Sequence, residues 1–121
     1  MKLDDIWIPD QHVDDLLCSA FEGGSTYWAT LVSRREPTDT KPVYLHEWPM
    51  AGGAVVLAST EGDEINGVKE WTLDREACER GMRVMADKYP RHWGAFMAGN
   101  DDAETGDVYL QCCLFGEIVF G

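Results

Sequence analysis

The sequence predicts an α+β fold, in which a three- to four-stranded antiparallel sheet packs against about four helices. Apolar residues follow helical spacing near the N-terminus and in the last third of the chain, whereas the middle third holds short apolar runs separated by turn residues. The predicted element order is therefore α–ββββ–ααα. With 121 residues and 45% hydrophobic composition the chain can build one core, and we assign residues 1–121 to a single domain.

A helix is predicted over about 11–22, after an extended segment at 3–9. Its apolar positions follow the i, i+3, i+4, i+7, i+8 spacing of one helical face: Val13, Leu16, Leu17, Ala20 and Phe21. Asp10 is predicted to cap this helix. Gly23 is predicted to end it in the left-handed conformation, which glycine adopts at little cost.

The central third of the chain predicts an antiparallel meander. Its four strands are expected at 27–33, 43–50, 54–60 and 68–71. The pair Asn66-Gly67 is a strong signal for a tight hairpin turn, because both residues tolerate a positive φ.

Two helices are predicted in the first part of the last third. One covers about 73–88 with Thr72 as its cap, and the next starts at Pro90, since proline suits the first helical turn.

A final helix is predicted over about 103–119. Asp101 and Glu104 have the spacing of a capping box, with Asp in place of Ser or Thr. The segment is apolar around most of the helical circumference, which is typical of a buried helix. A strand at 108–115 is the alternative that the sequence leaves open.

The charge of the chain restricts the classes of partner. It carries 22 acidic and 10 basic residues, a net charge of −12. Because nucleic-acid binding depends on Lys and Arg neutralising phosphates, we expect no direct nucleic-acid binding. The acidity is interpreted either as a means of solubility or as mimicry, in which carboxylates imitate phosphates in a partner's basic groove. The candidate face for mimicry consists of Asp101, Asp102, Glu104 and Asp107.

The sequence predicts neither a membrane segment nor a metal site. No apolar run reaches the length of a membrane span, and residues 1–10 lack the pattern of a signal peptide, so we expect a cytoplasmic protein. The cysteines form no CxxC pair, and the histidines lie apart from them in the chain. We therefore expect no cofactor and no metal ion.

The segment Glu22-Gly23-Gly24-Ser25 is the first candidate for a binding site. Its backbone N–H groups could form a nest for an anion, although the Lys of a Walker loop is missing. A plain helix end is the alternative. Next to it, Tyr27 or Trp28 could offer a stacking face for a ring, the alternative being that they belong to the core.

Polar residues near the C-terminus complete the candidate site. Gln111 and Glu117 interrupt the final apolar helix, where they could contact a ligand or bond to loop backbone. An anionic ligand would also need Arg91 or His92, because the rest of the surface is acidic. A pairing of His92 with Asp107 as acid and base has no local support, and we predict a protein without enzymatic activity.

Two segments together resemble a known family. DLLCSAFEGGSTYW and KYPRHWGAFMAGNDDAETGDVYLQCCLFGEIVFG are similar to a family of small uncharacterised bacteriophage and prophage proteins. That family carries an EGGS-x-YW element and a DAET-x-D…Q…LFGE…YG element, and Phe120 stands where its more usual residue is Tyr. The segments cover somewhat under half of the chain, and the middle, 34–71, shows no resemblance.

The resemblance implies a phage accessory protein that acts in the host cytoplasm against host defence. The leading hypothesis is binding of a small ligand, for example a host defence signalling nucleotide, or of a host protein. The alternatives are an acidic nucleic-acid mimic that inhibits a host enzyme and a small virion or assembly component, which would be a homo-oligomer.

Overall fold

The computed structural model describes residues 1–38, 41–42 and 44–121. Its helices are α1 (Asp10–Ser19), α2 (Arg75–Lys88), α3 (Pro90–Met97) and α4 (Ala103–Phe115). Its strands are β1 (Lys2–Leu3), β2 (Ile6–Trp7), β3 (Ala29–Arg35), β4 (Ala54–Ser59) and β5 (Glu70–Leu73). The predicted α+β class is confirmed, because these helices accompany a three-stranded antiparallel sheet and a separate two-stranded one.

A small hairpin replaces the extended segment predicted at 3–9. Strand β1 pairs with β2 in antiparallel register, and Asp4 takes a left-handed φ of 53° in the turn. Backbone hydrogen bonds between Met1 and Ile8 extend the pairing, at 2.7 and 2.8 Å. Leu3 and Ile8 are buried, which fixes the hairpin against the core.

Helix α1 confirms the predicted apolar face but not the predicted ends. Asp10 is the first helical residue, preceded by the extended Pro9, so Asp10 does not act as the cap. The last turn widens into a π-helical turn at Ala20–Gly24. Gly23 does not have the positive φ that was predicted for it. The π-helical turn ends at Ser25, whose backbone N–H donates to Ala20 O at 2.9 Å.

The main sheet has strand order β3-β4-β5 and holds three strands, the lower number predicted. Leu57 on the central strand lies opposite Leu31 and Trp71. The strand predicted at 43–50 is wrong in the described part, where Leu45–Glu47 is a 3-10 turn, while Val43 lies outside the described residues.

The predicted Asn66-Gly67 turn is confirmed. Both residues have a positive φ, 52° and 79°, as a tight hairpin turn requires. Ile65 and Val68 pair across it as an isolated bridge. The longer strand, β5, starts at Glu70, two residues after the predicted start at 68.

Helix α3 starts at Pro90 as predicted, whereas α2 and α4 begin at caps other than those predicted. Asp74, not Thr72, accepts from the Ala77 N–H at 2.9 Å at the start of α2. Asp102, not Asp101, accepts from the Thr105 N–H at 3.0 Å at the start of α4. In both cases the cap is the Asp that directly precedes the helix, because its carboxylate can reach the backbone N–H of the residue three positions later.

Helix α4 lies at the centre of the fold. Residues 105–113 are all buried, so the helix is surrounded on every side, and the strand alternative at 108–115 is wrong. It ends at Phe115 instead of continuing to 119, because Gly116 adopts a left-handed φ of 75°. The segment 117–121 therefore leaves the helix axis.

Two glycines allow α1 and its π-helical turn to approach α4 closely. A Cβ on Gly106 would lie 2.8 Å from Leu16 O, and a Cβ on Gly24 would overlap the Ala103 carbonyl. The neighbouring Gly23 has no heavy atom within 4 Å of an added Cβ. The structure thus needs glycine at position 24 because a side chain would not fit. The backbone conformation does not require glycine there, since Gly24 has no positive φ.

Gly24→Ala should lower the free energy of unfolding by about 2 kcal/mol, because backbone must move to admit the methyl group. Gly23→Ala, its matched control, should change stability by less than about 1 kcal/mol, in the stabilising direction. Urea unfolding followed by tryptophan fluorescence measures both. Equal effects of the two substitutions would contradict the close packing of Gly24 on α4.

Candidate ligand-binding site

A buried carboxylate on α4, that of Asp107, collects four hydrogen bonds. Its Oδ1 accepts from Ser25 Oγ at 2.7 Å and from Trp28 Nε1 at 2.8 Å. Its Oδ2 accepts from the Tyr27 hydroxyl at 2.8 Å and from Gln111 Nε2 at 3.2 Å. The loop that follows the π-helical turn is therefore fastened to α4 through a single side chain.

These donors take the place of a basic partner for Asp107. Within the described part of the chain, no Lys, Arg or His lies within ion-pair distance of this carboxylate. A carboxylate has about four lone-pair positions, and the four donors fill them. Hydrogen bonds to a charged group are stronger than neutral ones, so the network can hold the charge in a buried place.

Gln111, one turn further along α4, anchors the C-terminal segment. Its Oε1 accepts from the backbone N–H of Val119 at 2.7 Å and of Phe120 at 2.8 Å. Its Nε2 donates to Phe120 O at 3.0 Å as well as to Asp107. Of the two interpretations of Gln111, bonding to loop backbone is the one that the structure shows.

An aromatic stack completes the attachment of this segment. The ring of Phe120 lies 4.7 Å from that of Trp28, with 7° between the planes. Phe115 and Trp71 pack at 4.8 Å beside them in an edge arrangement. Trp28 is only 2% exposed, so the prediction that it could offer a free stacking face is wrong.

An open groove of about 680 Å³ lies between this segment, the loop and the starts of α3 and α4. Its walls include five of the residues that the sequence predicts as ligand contacts: Gly24, Tyr27, Arg91, His92 and Gln111. Apolar side chains from the C-terminal segment, Ile118 and Phe120, also line it. Residues separated by more than 60 positions thus meet at one opening.

Tyr27 presents its ring to this groove. Tyr27 is 55% exposed, while its hydroxyl reaches the buried Asp107. Burial of that hydroxyl, together with the hydrogen bond to Asp107, raises the pKa of Tyr27 to about 12. The phenol therefore stays protonated and donating at neutral pH.

Arg91 and His92, from the start of α3, form another wall. The exposed Arg91 bonds Glu104 Oε1 through Nη2 at 3.2 Å. The buried His92 contacts Thr105 Oγ1 through Nδ1 at 3.0 Å and Arg91 Nη2 through Nε2 at 3.2 Å. Because a guanidinium can only donate, Nε2 accepts in this arrangement and Nδ1 carries the proton.

The predicted backbone nest at 22–25 is wrong at Ser25, whose N–H donates to Ala20 O inside the chain. The alternative, a plain helix end, is what the structure shows there. Glu22 and Gly23 are exposed and do not line the groove.

One further prediction about the site needs correction, and one pairing that had no local support in the sequence is not formed. Glu117 does not interrupt a helix, because α4 ends at Phe115; it is exposed and does not line the groove. His92 and Asp107 are not paired with each other, since His92 bonds Thr105 and Asp107 bonds the four donors named above.

Sequence reasoning did not identify Asp107 as the centre of the network. The signal was present, because Asp107 and Gln111 stand four residues apart in an otherwise apolar helix and so share one face. Since Asp107 is buried, it does not belong to the exposed acidic face that was predicted for phosphate mimicry.

The described residues contain no group of three or more His, Cys, Asp or Glu side chains placed to hold a metal ion. None of the helices described has the length and apolar character that crossing a bilayer would take. Burial raises the pKa of the Cys112 thiol to about 12, so this cysteine is not a reactive thiolate at neutral pH.

Comparisons with protein-family models, with curated proteins and with solved structures gave no match for this chain. The resemblance to bacteriophage and prophage proteins therefore stays a prediction.

Asp107→Asn should lower the free energy of unfolding by about 2–4 kcal/mol, because the new NH₂ group faces donors and the charge that strengthens their bonds is lost. Chemical denaturation measures this. Asp87→Asn, on the exposed side of α2, removes the same charge and should change stability little. Similar stability for both variants would contradict the role of Asp107 as the anchor.

A second carboxyl group, on α1, lies in a less favourable environment. Burial, with the nearby charges of Glu47, Asp10 and Asp15, raises the pKa of Asp14 to about 6. Its Oδ1 is buried and has no hydrogen-bond partner among the described residues. Ionising Asp14 therefore opposes folding.

Asp14→Asn should raise the free energy of unfolding by about 1 kcal/mol at neutral pH, a figure reduced for partial solvent screening. The raised pKa means that the folded protein holds this proton more tightly than the unfolded chain. In the unsubstituted protein, the loss of stability caused by ionising Asp14 is thus absent below pH 3.8, grows towards pH 6 and is complete above it. Denaturation at several pH values measures this, with Asp87→Asn as the control for net charge. If Asp14→Asn raised the free energy of unfolding equally at pH 3.5 and 7.5, the raised pKa of Asp14 would be contradicted.

Proposed function

We propose that the protein binds a small molecule with a planar ring and an anionic group in the groove beside Tyr27, and that it does so without catalysing a reaction. The observation that carries this proposal is that an exposed phenol ring and an exposed guanidinium line one largely apolar opening. A volume of about 680 Å³ falls in the range of small-molecule sites.

Each wall of the groove has a role in this proposal. The ring of Tyr27 stacks on the ligand's ring, since its hydroxyl is held by Asp107 and the residue is 55% exposed. Arg91 exchanges Glu104 for the ligand's anionic group, which is feasible because both side chains are solvent-exposed. Ile118 and Phe120 provide apolar contact.

The arrangement of hydroxyl and imidazole groups supports binding over catalysis. Ser25 Oγ donates to Asp107, whereas His92 bonds Thr105. An activated serine needs a base within hydrogen-bond reach, and these contacts give Ser25 a carboxylate acceptor that is already saturated.

The biological setting of the proposal comes from the resemblance to phage proteins. A small phage protein with such a groove would sequester a host metabolite or signalling nucleotide in the host cytoplasm and so act against host defence. Phosphate mimicry has less support, because one of the four carboxylates named for it, Asp107, is buried. Homo-oligomerisation stays a prediction.

Native mass spectrometry of the purified protein should reveal a bound small molecule. Calorimetric titration with adenosine monophosphate, chosen because it combines a planar ring with a phosphate, should then give saturable binding. Arg91→Ala and Tyr27→Ala should each weaken binding by about tenfold or more, whereas Tyr27→Phe should keep most of the affinity because the ring remains.

Matched controls are available on the same chain. Arg83→Ala removes another exposed arginine, one that pairs with Asp4 at 3.4 Å, and Tyr44→Ala removes another exposed tyrosine, 60% accessible. Both should bind like the parent. The proposal fails if no bound molecule is found and adenosine monophosphate does not bind, or if the groove variants bind as well as the controls.

A further inference from the structure

A second groove, of about 360 Å³, lies between β2, the first turns of α1 and the end of α3. It shares no lining residue with the groove beside Tyr27. Its apolar lining includes Trp7, Pro9, Phe96 and Met97, with His12 packed edge-on against Phe96 at 6.5 Å. We call it the hairpin groove.

Trp7 is the most exposed large hydrophobic side chain in the described part of the protein. It is 70% accessible, and Met97 across the groove is 48% accessible. The backbone of Trp7 is fixed, because Trp7 pairs with Lys2 in the hairpin and the next residue, Ile8, is buried. An exposed tryptophan on a fixed backbone is a frequent anchor of protein interfaces, since binding buries a large apolar area.

Two carboxylates stand at the rim of the hairpin groove. Asp15 accepts a hydrogen bond from Gln11 at 2.9 Å, and Asp101 is half-buried. Among the residues described, neither forms an ion pair with Lys or Arg. The net charge of −12 adds to their potential, so the groove combines an apolar floor with an uncompensated negative rim.

We propose that the hairpin groove docks a basic segment of another protein. A bulky apolar side chain of that segment lies against Trp7 and Met97, while neighbouring Lys or Arg side chains lie near Asp15 and Asp101. A second copy of this chain fits less well, because it would bring its own charge of −12 to the contact. This interaction is independent of the ligand proposed for the other groove.

The test uses the intact protein and a labelled peptide in which a central Phe-Leu pair is flanked by Arg residues. Fluorescence anisotropy should show saturable binding that weakens as salt rises. Trp7→Ala should weaken it by about tenfold. The double variant Asp15→Asn, Asp101→Asn should weaken it by about fivefold and flatten the salt dependence. Circular dichroism checks that each variant is folded.

Control variants separate docking from general attraction between unlike charges. Tyr44→Ala removes another exposed aromatic ring, 60% accessible against 70% for Trp7, and Asp87→Asn removes an exposed carboxylate of α2, so both should bind like the parent. A peptide with Glu in place of Arg should bind at least about tenfold more weakly. The proposal is overturned if the Arg peptide does not bind, if the Glu peptide binds equally, or if the groove variants and the controls lose the same affinity.

Discussion

One buried carboxylate connects the loop after α1, helix α4 and the C-terminal segment. The carboxylate of Asp107 accepts hydrogen bonds from the loop after α1 and from Gln111 on its own helix, and Gln111 in turn holds the backbone of the C-terminal segment. Breaking this network would leave a buried anion without partners, which costs more than any single bond contributes. The loop, the segment and α4 therefore have to occupy these positions together.

The same network determines what the protein can present to a ligand. Tyr27 is held by its hydroxyl, so its ring is directed to the groove, whereas Trp28 is drawn inward by the same carboxylate and covered by Phe120. A core constraint thus fixes a surface feature. The groove beside Tyr27 therefore takes the position of this ring from the same hydrogen bonds that stabilise the fold.

The short helix α3 contributes to both grooves. Arg91 and His92 at its start line the groove beside Tyr27, while Phe96 and Met97 near its end line the hairpin groove. The two grooves differ in their charged groups: Arg91 lies beside Glu104 and Asp107 in the first, whereas Asp15 and Asp101 line the second without Lys or Arg among the described residues.

The sequence by itself determined the helices α1, α2 and α3, the Asn66-Gly67 turn and the α+β class, because these depend on residues within a few positions of each other. It could place candidates such as Tyr27, Arg91 and Gln111 on their elements. Only the tertiary structure decided that these three line one groove, that Gly24 serves close packing, and that the chain turns away at Gly116 before Glu117. The physical reason is that burial and hydrogen-bond partners come from segments about 80 residues apart, as with Ser25 and Asp107, and local spacing carries no information about them.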